Sequence, residues 1–183
     1  MGITQSIGAS SLIKAGVIDN AAARPASPYE GQVIYQKDTD RVYVWSGAAW
    51  VYLYGNTPYC KVSRQTSSAM ASNVVVTWDT EEFDNDGMFS PSSDTVTIKT
   101  AGIYSIQTHV YLGGITTPAT PNFLVNGNEV LAFESYVAGS GRTSMNIIYR
   151  FAVNDTLKFR VYMPSGAANW QNSFMNVVWI GNA

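Results

Sequence analysis

Apolar and polar residues alternate along most of the chain after position 57, which is the period of a β-strand with one buried face. No segment shows a helical stripe longer than two turns. Many short strands at regular spacing predict an all-β sandwich or jelly roll over 57–183. Residues that favour turns separate the runs, namely Gly113-Gly114, Asn126-Gly127-Asn128, Gly139-Ser140-Gly141, Asn154-Asp155 and Ser165-Gly166.

Two of the predicted strands are apolar on both faces. In the first strand, Ile103 and Tyr111 lie on the face opposite the main apolar residues. In the second strand, Val177 and Trp179 lie on the face opposite Val178. A strand that is apolar on both faces is buried on both faces. One face packs in the sandwich core, and we expect the other to pack against a second subunit. The sequence therefore predicts an oligomer whose interface contains Ile103, Tyr111, Val177 and Trp179.

The segment 24–56 is predicted to be a small β-meander. Its three short strands are Val33–Gln36, Arg41–Trp45 and 50–54, and Asp side chains favour a turn at 37–40. Both faces of these strands are apolar or aromatic. Because a meander this small is not stable alone in water, we expect it to be an adaptor that packs on a neighbour.

Residues 1–23 are small and polar, with apolar positions that follow no period. This pattern is typical of an extended attachment arm that becomes ordered on a partner, and a disordered tail is the alternative. The positions that would carry attachment to a particle are Ile3, Ile7, Leu12, Ile13, Val17 and Ile18.

Composition limits the partners. Hydrophobic residues make up 46% of the chain and charged residues 13%, which suggests that part of the surface is covered by another molecule. The net charge is −2 and no basic cluster exists, so we expect no nucleic-acid partner. No apolar run reaches the roughly 18 residues of a membrane span, and no secretory signal is evident, so we expect no membrane partner.

Neither the lone histidine nor the lone cysteine belongs to a catalytic or metal-binding motif. His109 is expected to be hydrogen-bonded or to lie at an interface, and Cys60 to be a packed thiol without a disulfide partner. We therefore predict a protein that is not an enzyme and that has no cofactor and no metal. The acidic run at 81–86 could supply oxygen ligands to calcium, but it lacks the spacing of an EF-hand, and a solvated turn is the default. Trp170, near a predicted loop, is a candidate for stacking on a host surface glycan, the alternative being simple packing.

Three segments resemble the C1q/tumour-necrosis-factor jelly-roll family. They are AGIYSIQTHV at 101–110, FAVNDTLKFRVY at 151–162 and SFMNVVWIG at 173–181. The acidic segment WDTEEFDNDGMF at 78–89 is similar to a turn in microbial members. Asn154 replaces the usual glycine, a mild departure since asparagine also tolerates positive φ. The resemblance implies a C-terminal jelly roll that forms a compact homotrimer.

The segment RPASPYEGQVIYQKDTDRVYVWSGAAWV at 24–51 resembles an element of phage tail-fibre and other virion proteins. The two resemblances together imply a bacteriophage virion protein with an N-terminal adaptor and a C-terminal knob. We expect a homotrimeric capsid decoration (cement) protein or short head fibre, bound to the major capsid protein or another virion protein. It would lie on the virion surface after assembly in the host bacterial cytoplasm.

Two alternatives stay open from the sequence. One is a tail-fibre tip that recognises host glycan through loops at 139–142 and 165–172. The other is a secreted bacterial C1q-like adhesin, which would need an export signal.

Overall fold

The computed structural model describes residues 16–182 except 56, 71–73, 116, 133–138 and 164–167. The chain divides into two compact units, Met1–Asn56 and Thr57–Ala183. The predicted attachment residues Ile3, Ile7, Leu12 and Ile13 lie outside the described residues. No helix in the described part is both long and apolar enough to cross a membrane.

The first unit contains one four-stranded sheet. Its strands, in spatial order, are β1 (Gly16–Ile18), β2 (Val33–Gln36), β3 (Arg41–Trp45) and β4 (Trp50–Gly55), and a 3-10 turn spans Ala21–Ala23. The predicted meander is present, with antiparallel pairing of β2 with β3 and of β3 with β4. The sequence did not predict β1, which comes from the predicted arm and pairs in parallel with β2.

Aromatic rings and arginines pack together in this first sheet. Val42 and Tyr43 are neighbours on β3 and both are buried, so both faces of the strand are covered. The guanidinium of Arg24 lies 4.4 Å from the centre of the Tyr43 ring, and that of the buried Arg41 lies 5.7 Å from the Tyr52 ring. Such cation–π contacts allow charged groups to cover an apolar sheet.

The second unit is a sandwich of two sheets, as the alternation predicted. The front sheet contains, in spatial order, β14 (Gly139–Phe151), β11 (Gly102–Ile115), β16 (Ala168–Gly181), β5 (Tyr59–Arg64) and β8 (Thr80–Asp84), and β6 (Ser68–Met70) also pairs with β16. The back sheet contains β13 (Asn128–Ala132), β12 (Thr120–Val125), β15 (Thr156–Tyr162), β10 (Thr95–Thr97) and β9 (Phe89–Ser90), and β7 (Val74–Val75) also pairs with β15.

The core lies between the two sheets. On β11 every second residue from Gly102 to Leu112 is buried, while the residues between them are partly or fully exposed. On the back sheet Phe123 and Phe159 are completely buried, with ring centres 5.3 Å apart. Burial of each such ring stabilises the fold by roughly 1.5–3 kcal/mol. Because the apolar residues alternate, only one face of each strand can supply such residues to the core.

Two of the predicted turns hold asparagines in the left-handed region. Asn126 has φ 52° and Gly127 has φ 79°, and together they join β12 to β13. Asn154 has φ 72° in the turn between β14 and β15, which confirms the expectation that this asparagine tolerates a positive φ.

Two other predicted turns are wrong. Gly113-Gly114 does not end β11, because the strand continues to Ile115 through a bulge at which Gly114 adopts φ 74°. Gly139-Ser140-Gly141 begins β14 rather than forming a turn. Glycine is common at bulges as well as in turns, so its presence alone did not decide between them. The predicted turn at Ser165-Gly166 lies outside the described residues.

Gly102 of β11 lies in close contact with the end of β16. A Cβ atom built there would overlap the Trp179 indole nitrogen and lie 2.6 Å from the carbonyl oxygen of Gly181. The indole Nε1 of Trp179 donates a hydrogen bond to the carbonyl oxygen of Ala101 at 3.3 Å. A side chain at position 102 would therefore displace both the tryptophan and the last residues of β16.

We expect Gly102→Ala to destabilise the protein by about 1–3 kcal/mol, because the added methyl group overlaps backbone as well as side chain. Chemical denaturation of the full chain measures the effect. Gly181→Ala is the matched control, since nothing lies within 4 Å of its added Cβ. A free energy of unfolding equal in the two variants would contradict this account of Gly102.

Candidate oligomerisation interface

The outer face of the front sheet is the candidate site of assembly. Register places Ser105 of β11 between Ile148 of β14 and Val178 of β16, and places His109 between Ser144 and Phe174. The name "outer face" is used below for seven residues on these three strands, namely Ile103, Ser105, His109, Tyr111, Ile148, Phe174 and Val178.

Apolar side chains form a patch on this face, and polar residues occupy other outward positions of the same three strands, namely Gln107, Arg142, Asn146, Arg150 and Asn176. Ile148 is 69% exposed and lies opposite Ser105, with Asn146 and Arg150 at the adjacent outward positions of its own strand. Val178 and Phe174 are half-buried on a strand whose opposite face, at Met175 and Val177, is completely buried. This strand is thus apolar on both faces, as the sequence indicated, and one of the two faces is open in the single chain.

An aromatic stack crosses the middle of the outer face. The rings of His109 and Phe174 are stacked, with centres 5.6 Å apart and planes 19° apart. His109 Nδ1 is also 2.9 Å from the hydroxyl oxygen of Ser144, so the histidine is hydrogen-bonded as expected.

An ion pair borders the stack on the adjoining strand. Lys61 Nζ lies 5.8 Å from the Phe174 ring and 2.6 Å from Glu82 Oε2. The hydrogen bond from Lys61 lowers the pKa of Glu82, and the same bond raises the pKa of Lys61. Both groups are therefore ionised at neutral pH, and their charges offset each other at this border.

The structure places the four predicted interface residues on two different faces. Ile103 and Tyr111 lie on the outer face and are partly exposed. Val177 is completely buried in the core, and Trp179 packs against the same core. The assignment of Val177 to the interface is corrected, since it has no surface left for a second copy, and the contact of the partly exposed Trp179 with a second copy stays a prediction. The residues on both faces of β16 are apolar, so the sequence did not show which face points into the core.

Only two of the predicted attachment residues lie in the described part of the chain. Val17 is 61% exposed and Ile18 is half-buried, both on β1. Their contact with a particle stays a prediction.

The described residues of the two predicted glycan-binding loops, 139–142 and 168–172, lie on strands. Trp170 lies on β16, paired with Ser68 and Leu112, and residues 139–142 begin β14. The side chain of Trp170 lies outside the described residues, and its contact with glycan stays a prediction.

Side-chain oxygens of the acidic run at 81–86 accept hydrogen bonds from backbone N–H groups. Asp84 Oδ2 accepts a hydrogen bond from the backbone N–H of Phe89 at 2.7 Å, and Asn85 Oδ1 accepts one from that of Tyr59 at 2.8 Å. Within the described ranges, no group of three or more His, Cys, Asp and Glu side chains could hold a metal ion.

The sequence did not predict a polar groove that lies on the outward surface of the back sheet. It is lined by residues of three strands, Thr120, Asn122, Glu129, Arg160 and Tyr162. The alternation along β15 already placed Arg160 and Tyr162 on one face. Their pairing with Asn122 and Thr120 follows only from the register of β12 on β15, which the sequence does not reveal.

Comparisons with known proteins support the fold. No protein-family model matches the sequence, and no curated protein matches it. Among solved structures, the chain is similar to the globular domain of zebrafish complement 1qA (TM-score 0.56, 17% identity, 69% of this chain and 99% of that one). It is also similar to Eiger TNF from S. frugiperda (0.58, 12%, 69% and 94%) and to murine APRIL (0.56, 12%, 68% and 100%). At these identities the likeness shows the fold, a C1q/TNF-type jelly roll.

We expect Cys60 to be unreactive in the folded protein. It is completely buried, and burial raises the pKa of its thiol well above the usual 8.5 or so, with the negative charges of Asp84 and Glu81 raising it further. A disulfide reagent at pH 8 should label the thiol only after denaturant unfolds the chain. Rapid labelling of the native protein would contradict this placement.

Proposed function

We propose that the protein is a non-enzymatic structural protein that assembles as a homotrimer through the outer face of its front sheet. The observation that carries this proposal is the difference between the two outward surfaces of the sandwich. On the front sheet the outward positions include Ile148, Phe174 and Val178. On the back sheet Lys158 and Arg160 occupy the equivalent positions of β15.

This difference decides which sheet is covered in the assembly. Apolar surface removed from water contributes roughly 25 cal/mol per Å², whereas charged groups must be paired when they are buried. Association that covers Ile148, Phe174 and Val178 therefore gains free energy, provided that Arg142 and Arg150 on the edge strand of the same sheet stay hydrated or find partners. The threefold arrangement is the one that the resemblance to the C1q/TNF family implies.

We further propose that the trimer decorates a bacteriophage particle, as a cement protein or short head fibre on the virion surface. The support is the likeness of segment 24–51 to virion proteins, together with the unpatterned apolar residues before it. Binding of the N-terminal region to the major capsid protein would stabilise only the assembled shell, by mass action. The same trimer at a fibre tip would be a receptor-binding module, and its position on the particle separates the two functions.

The trimer is tested by placing a charge on the outer face. Ile148→Asp should give single subunits at micromolar concentration, because the interface would bury a carboxylate without a partner. The control is Val153→Asp, which changes a side chain that is 51% exposed in the turn after β14. Size-exclusion chromatography with light scattering measures the mass, and circular dichroism checks the fold. A trimeric Ile148→Asp protein would overturn this interface.

Particle attachment is tested by two truncations. Removal of residues 1–15 leaves every described strand in place, and removal of 1–23 also deletes β1. Both truncated proteins should remain soluble trimers but fail to cosediment with particles stripped of the protein. A truncated trimer that saturates the particles would show that the arm is not the attachment segment.

A further inference from the structure

The groove on the back sheet has the form of a small ligand site. Its volume is about 360 Å³, near the lower end of the range for ligand pockets in proteins. Two cross-strand pairs form its floor, Thr120 with Tyr162 and Asn122 with Arg160. These pairs occupy successive outward positions of β12 and β15, so their side chains stand next to one another.

The guanidinium of Arg160 is held in place by two neighbours. Its Nε donates a hydrogen bond to Asn122 Oδ1 at 2.9 Å, and a terminal nitrogen donates to Glu129 Oε2 at 2.6 Å. Asn122 is itself only 1% exposed, so its amide is a fixed partner rather than a mobile surface group. The arginine is thus ordered before any ligand arrives, which lowers the entropic cost of binding.

The same network leaves hydrogen-bonding groups for a ligand. A guanidinium has five N–H donors, and these two bonds use two of them. Glu129 is exposed and carries a second carboxylate oxygen, which can accept a bond.

The charge of the groove favours a neutral ligand. The carboxylate of Glu129 offsets the positive charge of Arg160 at 2.6 Å, so an incoming phosphate or carboxylate would meet a negative group. A hydroxyl group both donates and accepts, and it matches a surface that offers both N–H donors and carboxylate oxygens. Beside these polar groups, the Tyr162 ring is 43% exposed and presents a flat apolar surface.

We propose that this groove binds a neutral sugar residue of a glycan. The apolar face of the sugar ring packs on Tyr162, and its hydroxyl groups bond to Arg160 and Glu129, while Asn122 holds the guanidinium in place. The site lies on the sheet opposite the proposed assembly face, so it is open in single chains and in the trimer alike. The inference therefore goes beyond the proposed function and does not depend on it.

Saturation-transfer NMR on the full chain tests the proposal. The probes are the methyl glycosides of glucose, galactose, mannose and N-acetylglucosamine, with methyl sialoside and inorganic phosphate as anionic probes. We expect at least one neutral glycoside to bind at millimolar concentration, and the anions not to compete with it. Absence of transfer to all four neutral glycosides, or displacement by phosphate or sialoside, would overturn the proposal.

Two variants locate the bound sugar. Tyr162→Ala removes the ring, and Glu129→Gln removes the charge that orients Arg160, so each should weaken binding of the glycoside about tenfold. Tyr29→Ala is the matched control, since that tyrosine is 70% exposed in the first unit. Circular dichroism confirms that each variant is folded. Equal affinity of Tyr162→Ala and the unaltered protein would refute the assignment of this groove.

Discussion

Hydrophobic burial on both faces of the central front-sheet strands is the constraint on which the rest of the structure depends. The inward residues of β11 and β16, such as Ile106 and Val177, are removed completely from water by the back sheet. The outward residues Phe174 and Val178 remain only half-buried in a single chain. Any contact that removes such apolar surface from water is favourable, so this face of the fold favours association.

The proposed assembly face and the proposed sugar-binding groove lie on different sheets of the sandwich. The front sheet combines its apolar residues with a neutralised border at Lys61 and Glu82. The back sheet keeps charged and polar residues on its outward positions, and the register of β12 on β15 gathers Asn122 and Arg160 into one groove. In the proposed trimer, the polar outward face of the back sheet would remain hydrated while the front sheet is covered, so assembly and sugar binding would not compete for surface.

The alternation of apolar residues was enough to predict the two-sheet architecture, and local chemistry was enough to place turns such as the one at Asn154. Which face of a strand points inward was not predictable where both parities are apolar, and Val177 was misplaced for that reason. The bulge at Gly114 was missed because glycine marks both turns and bulges. The groove depends on a pairing of residues nearly forty positions apart, Asn122 and Arg160, and only the register brings them together.

The mass of the unaltered full chain in solution tests the central claim most directly. Native mass spectrometry or sedimentation equilibrium at micromolar concentration should give three times the 19.9 kDa of one chain. A stable species of 19.9 kDa under the same conditions would show that the half-buried face is tolerated in water. Assembly would then not follow from the surface of the front sheet.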